Sequence, residues 1–120
     1  MANGSGRSLG DLIRDARVEH KITLRSLAER FGKSPSYISD IENDRRIPAE
    51  PFLREICTVL SLDFDDAMAL AGRLGHDAER ELRRTPELGL LFRKLSDLPT
   101  RDRNATIRKY LGEVEEKLKG

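Results

Sequence analysis

The chain has 120 residues, with 22 Lys and Arg against 21 Asp and Glu, a formal net charge of +1, two His, one Cys and no Trp. Charged residues make up 36% and hydrophobic ones 38%, so the apolar core has to be shared among amphipathic elements, which favours helices over a thick sheet sandwich. The length supports one compact domain with an extension. The single Cys57 excludes an intrachain disulfide framework and a Cys-based zinc cluster, and His20 and His76 lack metal-ligand spacing. Apolar runs are too short for a membrane span or a secretory signal, so a cytoplasmic location is expected.

Residues 1–7 are small, polar and Gly-rich and read as a flexible tail. From Ser8, Leu9, Leu12, Ile13 and Ala16 recur at the spacing of one helix stripe, with Ser8 as N-cap and Asp11 completing a variant capping box. This helix is expected to fray near His20 and Lys21. Thr23 caps a second short helix with Leu24, Leu27, Ala28 and Phe31 inward, and Gly32 ends it in a left-handed cap. Ser34-Pro35 starts a third helix, with Ile38 and Ile41 inward and an end near Glu42-Asn43, and Asn43-Asp44 is turn chemistry that tolerates positive φ.

Pro48 and Pro51 bracket the entry to a fourth helix with Leu53, Ile56, Cys57 and Leu60 inward. Asp63 caps a fifth, with Phe64, Ala67, Met68 and Ala71 inward, before Gly72 stops it. No segment alternates with period two, so no strand is assigned. Beyond a break at residues 73–77, a short polar helix runs to Arg84. Thr85-Pro86 then repeats the capping signal for a helix carrying Leu88, Leu91, Phe92 and Leu95, and Thr100 caps a long last helix carrying Ile107, Tyr110, Leu111, Val114 and Leu118.

The charge is uneven along this layout. Residues 1–48 hold nine basic and seven acidic side chains, residues 49–80 three and seven, and residues 81–120 ten and seven. Neither basic end is strong enough for indiscriminate coating of nucleic acid, so any such contact is local and shaped. A short helix, a Gly turn and a second short helix with a polar outer face over residues 23–42 is the spacing of a helix-turn-helix, whose second helix is narrow enough to enter the major groove of B-DNA.

The stretch LRSLAERFGKSPSYISDIENDRRIP, residues 24–48, resembles the phage-repressor and Cro-like family of helix-turn-helix regulators, the XRE family. It carries that family's Leu-Ala pair, turn glycine, Ser-x-Ser-Tyr-Ile-Ser start and Ile-Glu-Asn end. The resemblance implies an all-α fold in which a five-helix, lambda-repressor-like DNA-binding domain occupies residues 8–72. It also implies that the third helix reads bases through Ser36, Tyr37 and Asp40, while Arg25, Lys33, Ser34, Ser39, Asn43, Arg45 and Arg46 contact the DNA backbone. In the same register Arg17 and Glu42 form a structural ion pair. Leu24 and Pro35 depart from the family pattern, each standing where many members carry a glutamine. The loss of those hydrogen bonds shifts readout toward DNA shape.

The remaining residues, 73–120, exceed what such a domain needs, and their two apolar stripes require a covering surface. Self-association is the economical answer, since a two-fold dimer presents two recognition helices to major grooves about 34 Å apart on a pseudo-palindromic operator. The alternatives are folding back onto the fifth helix of the same chain, or binding a protein partner as an antitoxin or immunity-type regulator does. Cys57 reads as core, Asp63, Asp65 and Asp66 as a solvated helix start, and no phosphate loop, nucleophile triad or carboxylate pair suggests catalysis. The expected activity is thus that of a non-enzymatic repressor that binds double-stranded DNA as a homodimer, without cofactor or metal.

Overall fold

A computed structural model describes residues 7–120, and the tail expected over residues 1–7 lies outside the described residues apart from Arg7. Among them every regular element is helical. The chain divides into two compact units, the first ending at Gly75 and the second running from His76 to Gly120.

The first unit contains α1 (Leu9–Glu19), α2 (Leu24–Phe31), α3 (Pro35–Glu42), α4 (Glu50–Leu60) and α5 (Phe64–Leu70). Local chemistry sets most of these limits. The Ser8 hydroxyl accepts from the Asp11 amide at 3.0 Å while the Asp11 carboxylate accepts from the Ser8 amide at 3.4 Å, closing a capping box on α1. Thr23 accepts from the Ser26 amide, Ser34 from the Tyr37 amide and Asp63 from the Asp66 amide, each at 2.9–3.1 Å, so α2, α3 and α5 start on satisfied donors. Gly32 ends α2 at φ +67°, a left-handed turn that leads directly into the cap of α3.

Each helix turns one stripe inward. Ile13, Leu27, Ile38, Ile41, Leu53, Ile56 and Leu60 are fully buried, with Ala28, Cys57 and Ala67 filling the gaps. The α1 helix packs on α3, α4 and α5, while α2 packs on α3 and α4 on α5, so α3 is held from two sides. The unit extends past Gly72 because the Arg73 guanidinium donates to the Pro48 carbonyl and Gly75 lies against Met68 and Glu50.

The second unit contains α6 (His76–Arg84), α7 (Pro86–Asp97) and α8 (Thr100–Lys119), and none of the three carries a buried residue. Two expected caps differ here. The Thr85 hydroxyl donates to the Glu81 carboxylate at 2.9 Å and does not cap α7: its backbone, at φ −122° and ψ 86°, departs from the extended geometry that brings a capping oxygen to the first amides. At α8 the capping position is Pro99, and Thr100 is already helical, so that helix starts without a side-chain cap. The residues Leu91, Phe92, Leu95, Ile107, Leu111 and Val114 line one open, almost wholly apolar groove between α7 and α8.

Candidate nucleic-acid interface

The site is the exposed side of α3 with the turns at its two ends. Glu42 lies in the wall behind it, only 4% exposed, and would be costly there without a partner. Arg17 supplies one. Its Nε donates to Glu42 Oε2 at 2.6 Å and its Nη2 to Glu42 Oε1 at 3.1 Å, a two-pronged geometry, while Nη1 donates to the Ile22 carbonyl at 2.9 Å. This joins the last turns of α1 and α3 and fixes the angle at which α3 projects.

Three further residues, absent from the sequence-based site, complete that anchorage. The Gly10 amide donates to Asp44 Oδ1 at 2.9 Å, and a Cβ at Gly10 would collide with the carbonyl oxygens of Ile41 and Glu42. Asp44 itself sits at φ +61°. Arg14 reaches from α1 to the Glu42 carbonyl at 3.3 Å and to Asn43 Oδ1 at 2.9 Å. One signal was available in the sequence: a glycine in the first turn of a helix costs stability, so it marks a close backbone approach. The distance of 34 residues between Gly10 and Asp44 concealed its partner.

On the outer face, Ser36 is exposed, as are Arg25 near the start of α2 and Pro35 at the start of α3. The Ser34 hydroxyl is already engaged in capping. Asn43 Nδ2 donates to the Ser39 carbonyl at 2.9 Å and to Ser39 Oγ at 3.2 Å, which, with the Arg14 contact, orients the amide. Asp40 Oδ1 accepts from Arg45 Nη1 at 3.1 Å, so the one carboxylate on the outer side of α3 is neutralised by a cation that is itself 67% exposed. Arg45 also donates its amide to the Asp40 carbonyl at 2.8 Å, folding the turn back against the helix.

Tyr37 is half-buried. Its ring stacks on Phe52 of α4 at 5.9 Å between centroids, and Phe52 meets Phe31 edge-on at 5.1 Å. The Arg46 guanidinium lies 5.0 Å from the Tyr37 ring centre, and Lys33 Nζ lies 5.5 Å from Tyr37 and 5.1 Å from Phe52. The ring is therefore a platform that holds two cations beside α3 by cation–π attraction. Leu24 is half-buried against the core and serves packing. Cys57 lies behind the site, where burial first and the Asp63 carboxylate second push its thiol up, with Arg54 opposing. No group of acidic, His or Cys side chains among the described residues could hold a metal ion. No helix among the described residues is long and apolar enough to cross a membrane.

A short helix crossing behind a projecting polar helix, with cations at both ends, defines a DNA-binding protein of the helix-turn-helix class. The Helix-turn-helix family model HTH_3 matches residues 13–66. The chain is 38% identical over 60 residues to the ImmF control region 10 kDa protein of Bacillus phage phi105, covering 50% of this chain and 67% of that protein. It is 36% identical over 78 residues to the transcriptional regulator ClgR of Mycobacterium tuberculosis, covering 65% and 70% respectively. It is also 33% identical over 66 residues to the HTH-type transcriptional repressor RghR of Bacillus subtilis, covering 54% and 49%. No solved structure matches the chain. The chain belongs to the XRE-type helix-turn-helix family of DNA-binding transcriptional regulators, which are not enzymes.

Proposed function

We propose that this protein is a repressor that binds a pseudo-palindromic operator as a homodimer and acts by occupying promoter DNA. The observation that carries the reading is the outward polar face of α3, rigidly anchored from behind by Arg17–Glu42 and flanked by exposed Lys33, Arg45 and Arg46. In this reading α3 enters the major groove, where Ser36 and Asp40 meet base edges and Tyr37 meets a thymine methyl or the groove wall. Asp40 accepts from a cytosine amino group while Arg45 turns to phosphate. Arg25, Lys33, Ser34, Ser39, Asn43 and Arg46 set register on the backbone. The name of the Bacillus subtilis relative, a repressor, supports the direction of control. Residues 8–72 supply DNA binding, and residues 73–120 supply the contact between copies.

The test is a titration of DNA from the protein's own upstream region in excess non-specific competitor, at fixed salt. Ser36→Ala with Asp40→Ala is expected to relax discrimination by about 1–3 kcal/mol for each base that is no longer read. Arg45→Ala and Arg46→Ala are expected to weaken binding to all sequences and to lower the salt slope by about 1 each. Unchanged operator affinity in all three variants would sink the assignment of α3 as reader. The open apolar groove of α7 and α8 supports a second reading, an antitoxin-type regulator that binds another protein there. The mass of the purified protein separates the two: a dimer favours the first, a monomer the second.

A further inference from the structure

The second unit keeps its large apolar side chains in water. Leu91 is 41% exposed, Leu111 56% and Leu118 80%. Leu118 is the telling one, since it lies beyond the groove that α7 helps to line and nothing in its own unit covers it. Along α8 the residues Ile107, Leu111, Val114 and Leu118 are spaced four, three and four apart, a heptad seam, with Lys109, Glu113, Glu116 and Lys119 on the opposite face. That seam spans about 17 Å of helix, too short to hold a two-stranded coiled coil alone. Leu91, Phe92 and Leu95 of α7 widen it into a continuous apolar surface.

The flanking charges say which helix and in which direction. Beside the seam stand Arg108 and Glu115 on one edge and Arg103, Tyr110 and Lys117 on the other, and neither Arg108 nor Glu115 has an ion-pair partner among the described residues. They are seven residues apart, about 10 Å along the helix, so they cannot pair within it. A parallel pairing of two α8 helices would set Arg103 against the partner's Arg108, twice, with no compensating attraction. An antiparallel pairing sets Arg108 against the partner's Glu115, Tyr110 against the partner's Lys117 and Leu118 over the partner's Ile107. The two-fold axis repeats each contact.

We propose that two copies of this chain associate through antiparallel pairing of α8 in this register, with α7 flanking the seam on both sides. The inference rests on the homodimer reading above and adds to it the surface, the direction and the residues that choose the partner. Like charges placed opposite each other on such a seam decide orientation more than affinity.

The experiment uses the full chain and measures dimer dissociation by sedimentation equilibrium, with helicity followed by far-ultraviolet circular dichroism. Arg108→Glu and Glu115→Arg, each alone, should weaken dimerisation about tenfold, because each turns two attractive pairs into repulsive ones. The double variant, and an equimolar mixture of the two single variants, should recover wild-type affinity, because both restore opposite charges across the axis. Single reversals that leave the dimer unchanged, or a mixture that fails to recover, would overturn the register while leaving the homodimer intact. A wild-type chain that stays monomeric at concentrations of several hundred micromolar would overturn the register and the homodimer together.

Discussion

The two units of this protein solve the burial problem differently. In residues 8–75 five helices, none longer than eleven residues, enclose a shared core of Ile, Leu and Ala side chains, and the one charge in that core, Glu42, is met by two prongs of a guanidinium. In residues 76–120 the last helix alone is twenty residues long, yet no side chain is buried. Helix length is thus a poor guide to self-sufficiency. Short helices that cross on several partners bury every stripe, whereas long ones that lie beside few neighbours leave half of each stripe in water. The first unit closes its core by itself and braces α3 from behind, whereas the second leaves Phe92, Leu111 and Leu118 in water.

The contrast can be broken most severely at Glu42. Glu42→Ala leaves Arg17 partly buried and unpaired, and a loss of about 3–5 kcal/mol in urea unfolding is expected, with DNA binding lost in parallel as α3 loosens. A loss under about 1 kcal/mol would mean that the pair orients α3 without holding the fold. Truncating Leu53, fully buried, to Ala is expected to cost about 2–5 kcal/mol whatever the protein concentration. Leu111→Ala, by contrast, should leave the unfolding of the first unit unchanged and alter only a concentration-dependent step. Equal, concentration-independent losses at the two positions would erase the distinction between the units.

A smaller difference is expected between two helix starts that look alike in sequence, Ser34-Pro35 and Thr85-Pro86. Ser34→Ala removes a capping hydrogen bond and should cost about 1 kcal/mol, while Thr85→Ala should stay within about 0.5 kcal/mol because that hydroxyl caps nothing. The smallest effect concerns Cys57. With its thiol held above the ordinary value of 9.0 by burial, the unfolded chain releases the proton first, so the site's contribution to stability is complete below pH 9 and declines as pH rises past it. Native protein at pH 8 should therefore alkylate no faster than it unfolds, and rapid native alkylation would show the thiol to be accessible.

Much of the first unit was legible because its signals are local. Ser8, Thr23, Ser34 and Asp63 act on amides three residues away, Gly32 ends a helix by its own backbone freedom, and stripe spacing alone predicts which face turns inward. The family pattern added the pairing of Arg17 with Glu42, twenty-five residues apart, which no local rule supplies. The anchorage through Gly10, Arg14 and Asp44 was not legible, because it joins the first turn of α1 to the turn after α3 and depends on how closely two backbones approach. Tyr37 shows the same limit from the other side. Its place in the helix was readable, but the stacking on Phe52 that turns its ring into a seat for Lys33 and Arg46 arises only when α4 folds beside α3.

By itself, then, the sequence determined an all-helical chain, the limits of most helices, the inward stripes and the helix-turn-helix that marks a DNA-binding regulator, since each rests on interactions within a turn or two of the chain. Tertiary structure alone decided which polar side chains of α3 are already engaged and which stand open. It also decided how α3 is braced and that the stripes of α7 and α8 stay in water, because hydrogen bonding and burial at those positions depend on neighbours tens of residues away.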